Sequence, residues 1–200
     1  MRERLRRPWA KPLVGALLLW PLAYLVLGAV VNVLGPNPAE TLIRSSGEMA
    51  LRTLCVALAV TPLRVLSGWP EWARFRRMVG LIAFTYAVFH LLCYGWLDMG
   101  LDLTDIAADI AKRPFILVGM LTFVLLLALA ATSFNAAIRR MGARRWQALH
   151  RVVYVAALLA LLHFYWMRSG KNNFDDVAVY GGIVAALLGW RLWRRWRAHP

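Results

Sequence analysis

A polytopic all-α membrane protein, a bundle of six transmembrane helices, is the fold class this sequence predicts. Three observations predict it. Apolar residues make up 60% of the 200 positions and charged residues 17%, more apolar surface than a water-soluble domain of this size can hide. The apolar residues fall in six runs of about 20, the length that crosses a hydrocarbon core of about 30 Å. The net charge of +14, from 24 Lys and Arg against 10 Asp and Glu, sits in short clusters between those runs. That is membrane topology rather than a nucleic-acid-binding surface.

The spans lie approximately at 12–34, 48–66, 78–97, 114–134, 147–167 and 175–193, and 1–200 reads as one domain. Backbone groups in lipid have no water to satisfy them, so each run is expected to be helical. The first follows a basic stretch, Arg2 to Lys11. It is longer than a signal-peptide core and ends without a small-x-small cleavage motif, so it is expected to remain as an uncleaved helix. Pro21 is placed to kink it, Pro62 lies towards the end of the second span, and Pro114 opens the fourth, where a missing N–H costs little. Between the third and fourth, DMGLDLTDIAADIAKR at 98–113 has apolar residues at helical spacing and predicts an amphipathic surface helix. No sequence repeat, second soluble domain or low-complexity tract is visible.

Alternate connections carry the bases. Arg2, Arg4, Arg6, Arg7 and Lys11 precede the first span. Arg64, Arg74, Arg76 and Arg77 surround the second connection. Arg139, Arg140, Arg144 and Arg145 fill the fourth, and Arg191, Arg194, Arg195 and Arg197 close the chain. The opposite side holds fewer bases, among them Arg44, Lys112, Arg113, Arg168 and Lys171, and most of the acids. The pattern predicts that both termini are cytoplasmic, with tryptophan belts at both surfaces.

Chemistry concentrates in the histidines. His199 is in the tail, but His90, His150 and His163 lie within or at the edge of spans, where ionisable residues are costly and usually functional. His90 falls about 12 residues into the third span and His163 about 16 into the fifth. At 1.5 Å per residue both lie about 18–24 Å from the basic edge. Two neutral imidazoles facing each other at one depth would fill both axial sites of a six-coordinate haem. His150 precedes His163 by 13 residues, and Arg77 precedes His90 by 13. The two are therefore expected at a matching second level, with Arg77 a candidate for a haem propionate or a second site. His150 is left open between a second haem, a flavin or quinone head group, and a step on the same electron path. Few acidic residues lie in the spans and none is expected to neighbour the three histidines, which argues against zinc or a simple carboxylate proton relay. Tyr86, Tyr94, Tyr154 and Tyr165 lie near them and read chiefly as packing and anchoring. Cys55 and Cys93 form no CxxC and read as small buried hydrophobes. No catalytic triad, phosphate loop or HExxH is present.

SGEMALRTLCVALAVTPLRVL at 46–66, RRMVGLIAFTYAVFHLLCYGWLD at 76–98, RPFILVGMLTFVLLLALAATS at 113–133 and GARRWQALHRVVYVAALLALLHFYW at 142–166 resemble the MsrQ (YedZ) family of haem-binding membrane subunits. The likeness extends over nearly the whole chain. It implies a ferric-reductase-like transmembrane domain in the bacterial inner membrane, with one or two b-type haems ligated by His90, His163 and His150. It implies an electron-transfer subunit that does not hold the sulfoxide-reducing site itself. Electrons would pass from the quinol pool to MsrP, a periplasmic molybdopterin methionine sulfoxide reductase that repairs oxidised proteins. FMN is also associated with the family. Two other readings stand beside it. One is a cytochrome b561-like or ferric-reductase-like metal reductase, although no flavin or nicotinamide domain is visible to drive it. The other is a proton channel or transporter that titrates its histidines.

Overall fold

The computed structural model describes residues 2–169 and 174–197. His199, Lys171 and the centre of the 168–176 connection lie outside the described residues. Among those described, all regular structure is helical. Six stretches are long and apolar enough to cross a membrane: Ala10–Val30, Pro38–Ser67, Pro70–Asp98, Pro114–Ala131, Ala143–Ser169 and Asp175–Arg197.

The chain begins with α1 (Arg2–Arg6) and α2 (Ala10–Val30). α2 stops short of the expected 34 because the chain turns at Asn32, whose φ is 59°. α3 (Pro38–Ser67) starts ten residues before the expected boundary. The polar stretch Glu40 to Glu48 conceals this first part from hydropathy, although the start signals are present. The Asn37 side chain accepts the Glu40 N–H at 3.1 Å, and Pro38 occupies the first turn. Gly68, at φ 69°, ends α3 in the left-handed conformation. The third crossing is composite: a 3-10 stretch at Pro70–Phe75, then α4 (Arg76–Cys93), then a π-turn at Tyr94–Asp98.

The expected surface helix forms as α5 (Leu103–Lys112), capped by the Asp102 carboxylate. α6 (Pro114–Ala131) is followed by short α7 (Asn135–Met141). The fifth crossing is divided into α8 (Ala143–His150) and α9 (Val153–Ser169). At the join, Val152 N–H donates to the Leu149 carbonyl and Tyr154 N–H to that of Arg151, the tighter i to i+3 pattern. α10 (Asp175–Arg197) completes the bundle.

α3 packs along α4, and α6 along α9. Leu54, Leu58, Ala83, Leu126, Ala156 and Ala157 form the shared core. The two alanines of α9 are fully buried, and small side chains let membrane helices approach closely. Trp20, Leu17 and Leu27 of α2 face outward, as a lipid-facing surface requires.

Polar contacts join the basic segments on one face. Glu71 accepts from Arg2 Nε at 3.1 Å and Arg6 Nε at 2.6 Å. Arg74 donates to the carbonyls of Leu5 and Arg6.

Both intrahelical prolines are answered by a neighbouring helix. Beside Pro21, the Tyr86 hydroxyl donates to the Leu18 carbonyl at 2.8 Å and accepts from Leu22 N–H at 3.1 Å. It inserts between groups that pair directly in an uninterrupted helix. Pro62 offers no N–H to the carbonyl of Leu58, four residues earlier. Arg191 of α10 donates to that carbonyl instead.

Candidate functional site

His90 of α4 and His163 of α9 face each other inside the bundle. Their ring centroids are 6.2 Å apart and their planes lie at 76°. The equal-depth expectation thus brings the intended pair together. His90 Nδ1 is 2.8 Å from the Ile43 carbonyl oxygen of α3, and His163 Nδ1 is 2.6 Å from that of Phe115 of α6. A carbonyl can only accept, so each Nδ1 carries the proton and donates it. Each Nε2 is left as the lone-pair nitrogen. Metal-ligating imidazoles are oriented by this same kind of bond on the opposite nitrogen.

The rings border a cavity of about 360 Å³ between α3, α4, α6 and α9, within the range of about 300–1,000 Å³ for cofactor and ligand sites. Leu51, Leu54, Ala87, Phe123, Leu126 and Ala160 contribute apolar walls. Charged groups also line it: Glu40, Arg44, Glu48, Asp98 and Arg113. Arg44 pairs with Glu40 at 2.7 Å and Arg113 with Asp109 at 2.6 Å. Asp109 also accepts the Tyr94 hydroxyl at 2.8 Å, and Glu48 accepts that of Tyr180 at 2.9 Å while pairing with Arg52. The sequence reading kept carboxylates away from the histidines, and the fold corrects it. The early start of α3 carries Glu40 onto the cavity, and Glu48 and Asp98 line it as well.

Arg77 and His150 do not line the cavity of His90 and His163. Arg77 is exposed and donates through Nη2 to Asn135 Oδ1 at 2.7 Å. Equal spacing along two chains gives equal rotation only if both are uniform α-helix. Residues 77–90 lie within uniform α4, while residues 150–163 include the tight α8–α9 join. The His150 ring stacks on Trp146 at 3.9 Å, and its Nε2 lies 3.2 Å from Thr132 Oγ1. It is not part of the cavity that holds His90 and His163. Of the tyrosines, Tyr94 lines the cavity, Tyr154 lies under Arg191, and Tyr165 stacks on Phe174. Cys55 and Cys93 are buried free thiols.

Sequence reasoning missed Gly47, Gly119, Arg44 and Arg113. The glycines left one signal, an interruption in otherwise apolar or helix-forming runs.

The donor set discriminates between metal chemistries. Among the described residues no three or more His, Cys, Asp or Glu side chains gather as a metal site, whereas a protein-held zinc takes three or four. Two opposed nitrogens suit a metal whose other four positions a planar macrocycle fills. A metal–imidazole bond of about 2 Å on each side, plus about 1.1 Å from nitrogen to ring centre, gives about 6 Å between centroids. The observed 6.2 Å matches.

Comparison with known proteins agrees with this geometry. Residues 46–161 match the family model described as the ferric reductase like transmembrane component. The chain is 61% identical over 192 residues to a protein of Polaromonas naphthalenivorans, covering 96% of this chain and 88% of that one. It is 48% identical to one of Ralstonia nicotianae, covering 92% and 85%. It is 50% identical to one of Bordetella pertussis, covering 94% and 90%. Each of these relatives is named a protein-methionine-sulfoxide reductase heme-binding subunit, MsrQ.

Proposed function

The chain belongs to the ferric-reductase-like transmembrane family and, within it, to the MsrQ subunits, and from that premise we propose that it is a multi-pass membrane electron-transfer subunit holding b-type haem between His90 and His163. The observation that carries this reading is the pair of opposed imidazoles, each with its Nδ1 proton committed to a helix carbonyl. His90 and His163 would hold the haem, which would supply one-electron exchange.

The residues of the chain supply everything else. Ile43 and Phe115 hold the two imidazoles in the tautomer that presents Nε2. The apolar walls exclude water, and burial of this kind tunes a metal's potential. Arg44 and Arg113, which line the cavity, replace Arg77 as the cations proposed to meet the propionates. The Arg and Lys clusters support a cytoplasmic position for the basic face and both termini, and the bacterial inner membrane is the proposed location. Quinol is the proposed donor. The proposed acceptor is the periplasmic molybdopterin subunit MsrP, docked on the face that carries α5. FMN rests on the resemblance alone and is assigned no residues. A second haem would depend on His150, whose Nε2 must first leave Thr132, a bond worth about 1 kcal/mol.

The test is spectroscopic. Protein purified from haem-replete cells should show a low-spin haem spectrum that dithionite shifts. His90→Ala and His163→Ala should each abolish the same signal. A colourless, stable preparation refutes the reading, as does survival of the signal in either variant. Haem per protein, compared between wild type and His150→Ala, decides whether His150 holds a second haem.

A further inference from the structure

The two histidines are held by the same three-part device. On the neighbouring helix a carbonyl accepts the Nδ1 proton, from Ile43 for His90 and Phe115 for His163. Four residues further along each of those helices stands a glycine, Gly47 or Gly119. A Cβ at Gly47 would lie 3.0 Å from both Cε1 and Nδ1 of His90. One at Gly119 would lie 2.8 Å from Cε1 and Nδ1 of His163 and 3.3 Å from its Nε2. In an α-helix a side chain leans back towards the turn before it, over the carbonyl four residues earlier. A glycine there exposes the carbonyl and leaves a slot for a flat ring. Glycine in a helix interior costs about 1 kcal/mol relative to alanine, so its place against each ring calls for a compensating role.

We infer that Gly47 and Gly119 are positioning residues that set the planes of the two imidazoles, holding them near perpendicular. The inference rests on the proposed haem reading and adds a property of that site. The rings lie at 76° to one another, each wedged into its glycine slot and tied by Nδ1. Both carbonyls belong to helix backbones and cannot rotate to follow a ring, so the angle is a property of the fold. Axial imidazole planes that cross give ferric low-spin haem a highly anisotropic EPR spectrum dominated by one large-g feature. Parallel planes give three resolved rhombic lines.

The experiment is low-temperature EPR of the oxidised, haem-loaded protein, for wild type and for Gly47→Ala, Gly119→Ala and Gly80→Ala. Gly80 lies on α4 with nothing within 4 Å of an added Cβ, so it controls for alanine in a membrane helix. Wild type and Gly80→Ala should give the single large-g signal. Gly119→Ala should lose it to rhombic lines or to a high-spin signal, because its clash is the closer. Gly47→Ala should shift it less. A rhombic wild-type spectrum overturns the inference even if a variant fails to fold, and leaves the haem reading standing. Unchanged spectra in both ring-facing variants also overturn it. A wild type without haem overturns both.

Discussion

Arg191→Met should destabilise the bundle strongly, and Pro62→Ala should remove most of that effect. Arg191 of α10 donates through Nη1 to the Leu187 carbonyl at 2.6 Å and through Nη2 to the Leu58 carbonyl of α3. Its guanidinium also lies 5.4 Å from the Tyr154 ring centre. Leu58 is buried, and the position four residues on is Pro62, which has no N–H to give. Methionine fills the stem's volume but leaves the Leu58 oxygen unsatisfied, which costs about 1–3 kcal/mol. The lost cation–π contact adds about 0.5–1 kcal/mol, for a total of about 2–4 kcal/mol. Alanine at position 62 restores the missing N–H, so the same Arg191→Met change should then cost only about 1 kcal/mol. The coupling energy of the cycle is therefore about 1–3 kcal/mol. The assay is reversible unfolding in mixed micelles, followed by helix signal, for wild type, both single variants and the double. Additive effects would refute the reasoning, because they would show that Arg191 does not act through the carbonyl that Pro62 orphans.

Two further outcomes are expected. Tyr86→Phe should cost about 1 kcal/mol in the same assay, because the hydroxyl's bonds to Leu18 and Leu22 are each worth about 0.6 kcal/mol in a membrane setting; a loss above about 3 kcal/mol would mean that the Leu18 and Leu22 groups cannot pair directly once it is gone. The Asp102 carboxylate accepts the N–H groups of Asp105 and Thr104, which lowers its pKa from the ordinary aspartate value. The stabilisation of α5 it provides is therefore complete above the unfolded pKa of about 4 and is lost as pH falls through the lowered folded value. Hydrogen-exchange protection at the start of α5 should fall on acidification in wild type and stay flat with pH in Asp102→Asn; equal pH dependence in both would disprove the assignment.

The parts of this fold legible in the sequence are those where one residue type repeats along a regular helix. Six long apolar runs predicted six crossings, and uniform rise along α4 and α9 was enough to set His90 opposite His163. Boundaries failed where polarity and helix disagree. Glu40 and Arg44 look like a loop by hydropathy, yet they begin α3 behind an Asn37 cap and bring charge to the cavity. Rotation failed where the helix is not uniform. The tight join at 150–153 changes the twist per residue between His150 and His163, whereas 77–90 is uniform α4, so matched 13-residue offsets do not give matched rotation.

The glycine–carbonyl device explains why no repeat was visible although the site is built twice. Its parts are a backbone carbonyl, an absent side chain and one histidine, 43 residues after Gly47 and 44 after Gly119. Only the histidine has a side chain to read, and the rest of each helix is free to vary with its lipid or core environment. The same device separates His90 and His163 from His150. Their Nδ1 atoms are tied to helix carbonyls, while His150 engages the Thr132 hydroxyl through Nε2, the nitrogen a ligand would need. A hydroxyl can turn about its bond, and a carbonyl inside a helix cannot. An electron-transfer centre works best when its ligands keep one geometry in both oxidation states, so the rigid pair suits the proposed relay. His150, on an adjustable partner at the join of α8 and α9, is the histidine whose contacts would have to change for it to hold the proposed second haem.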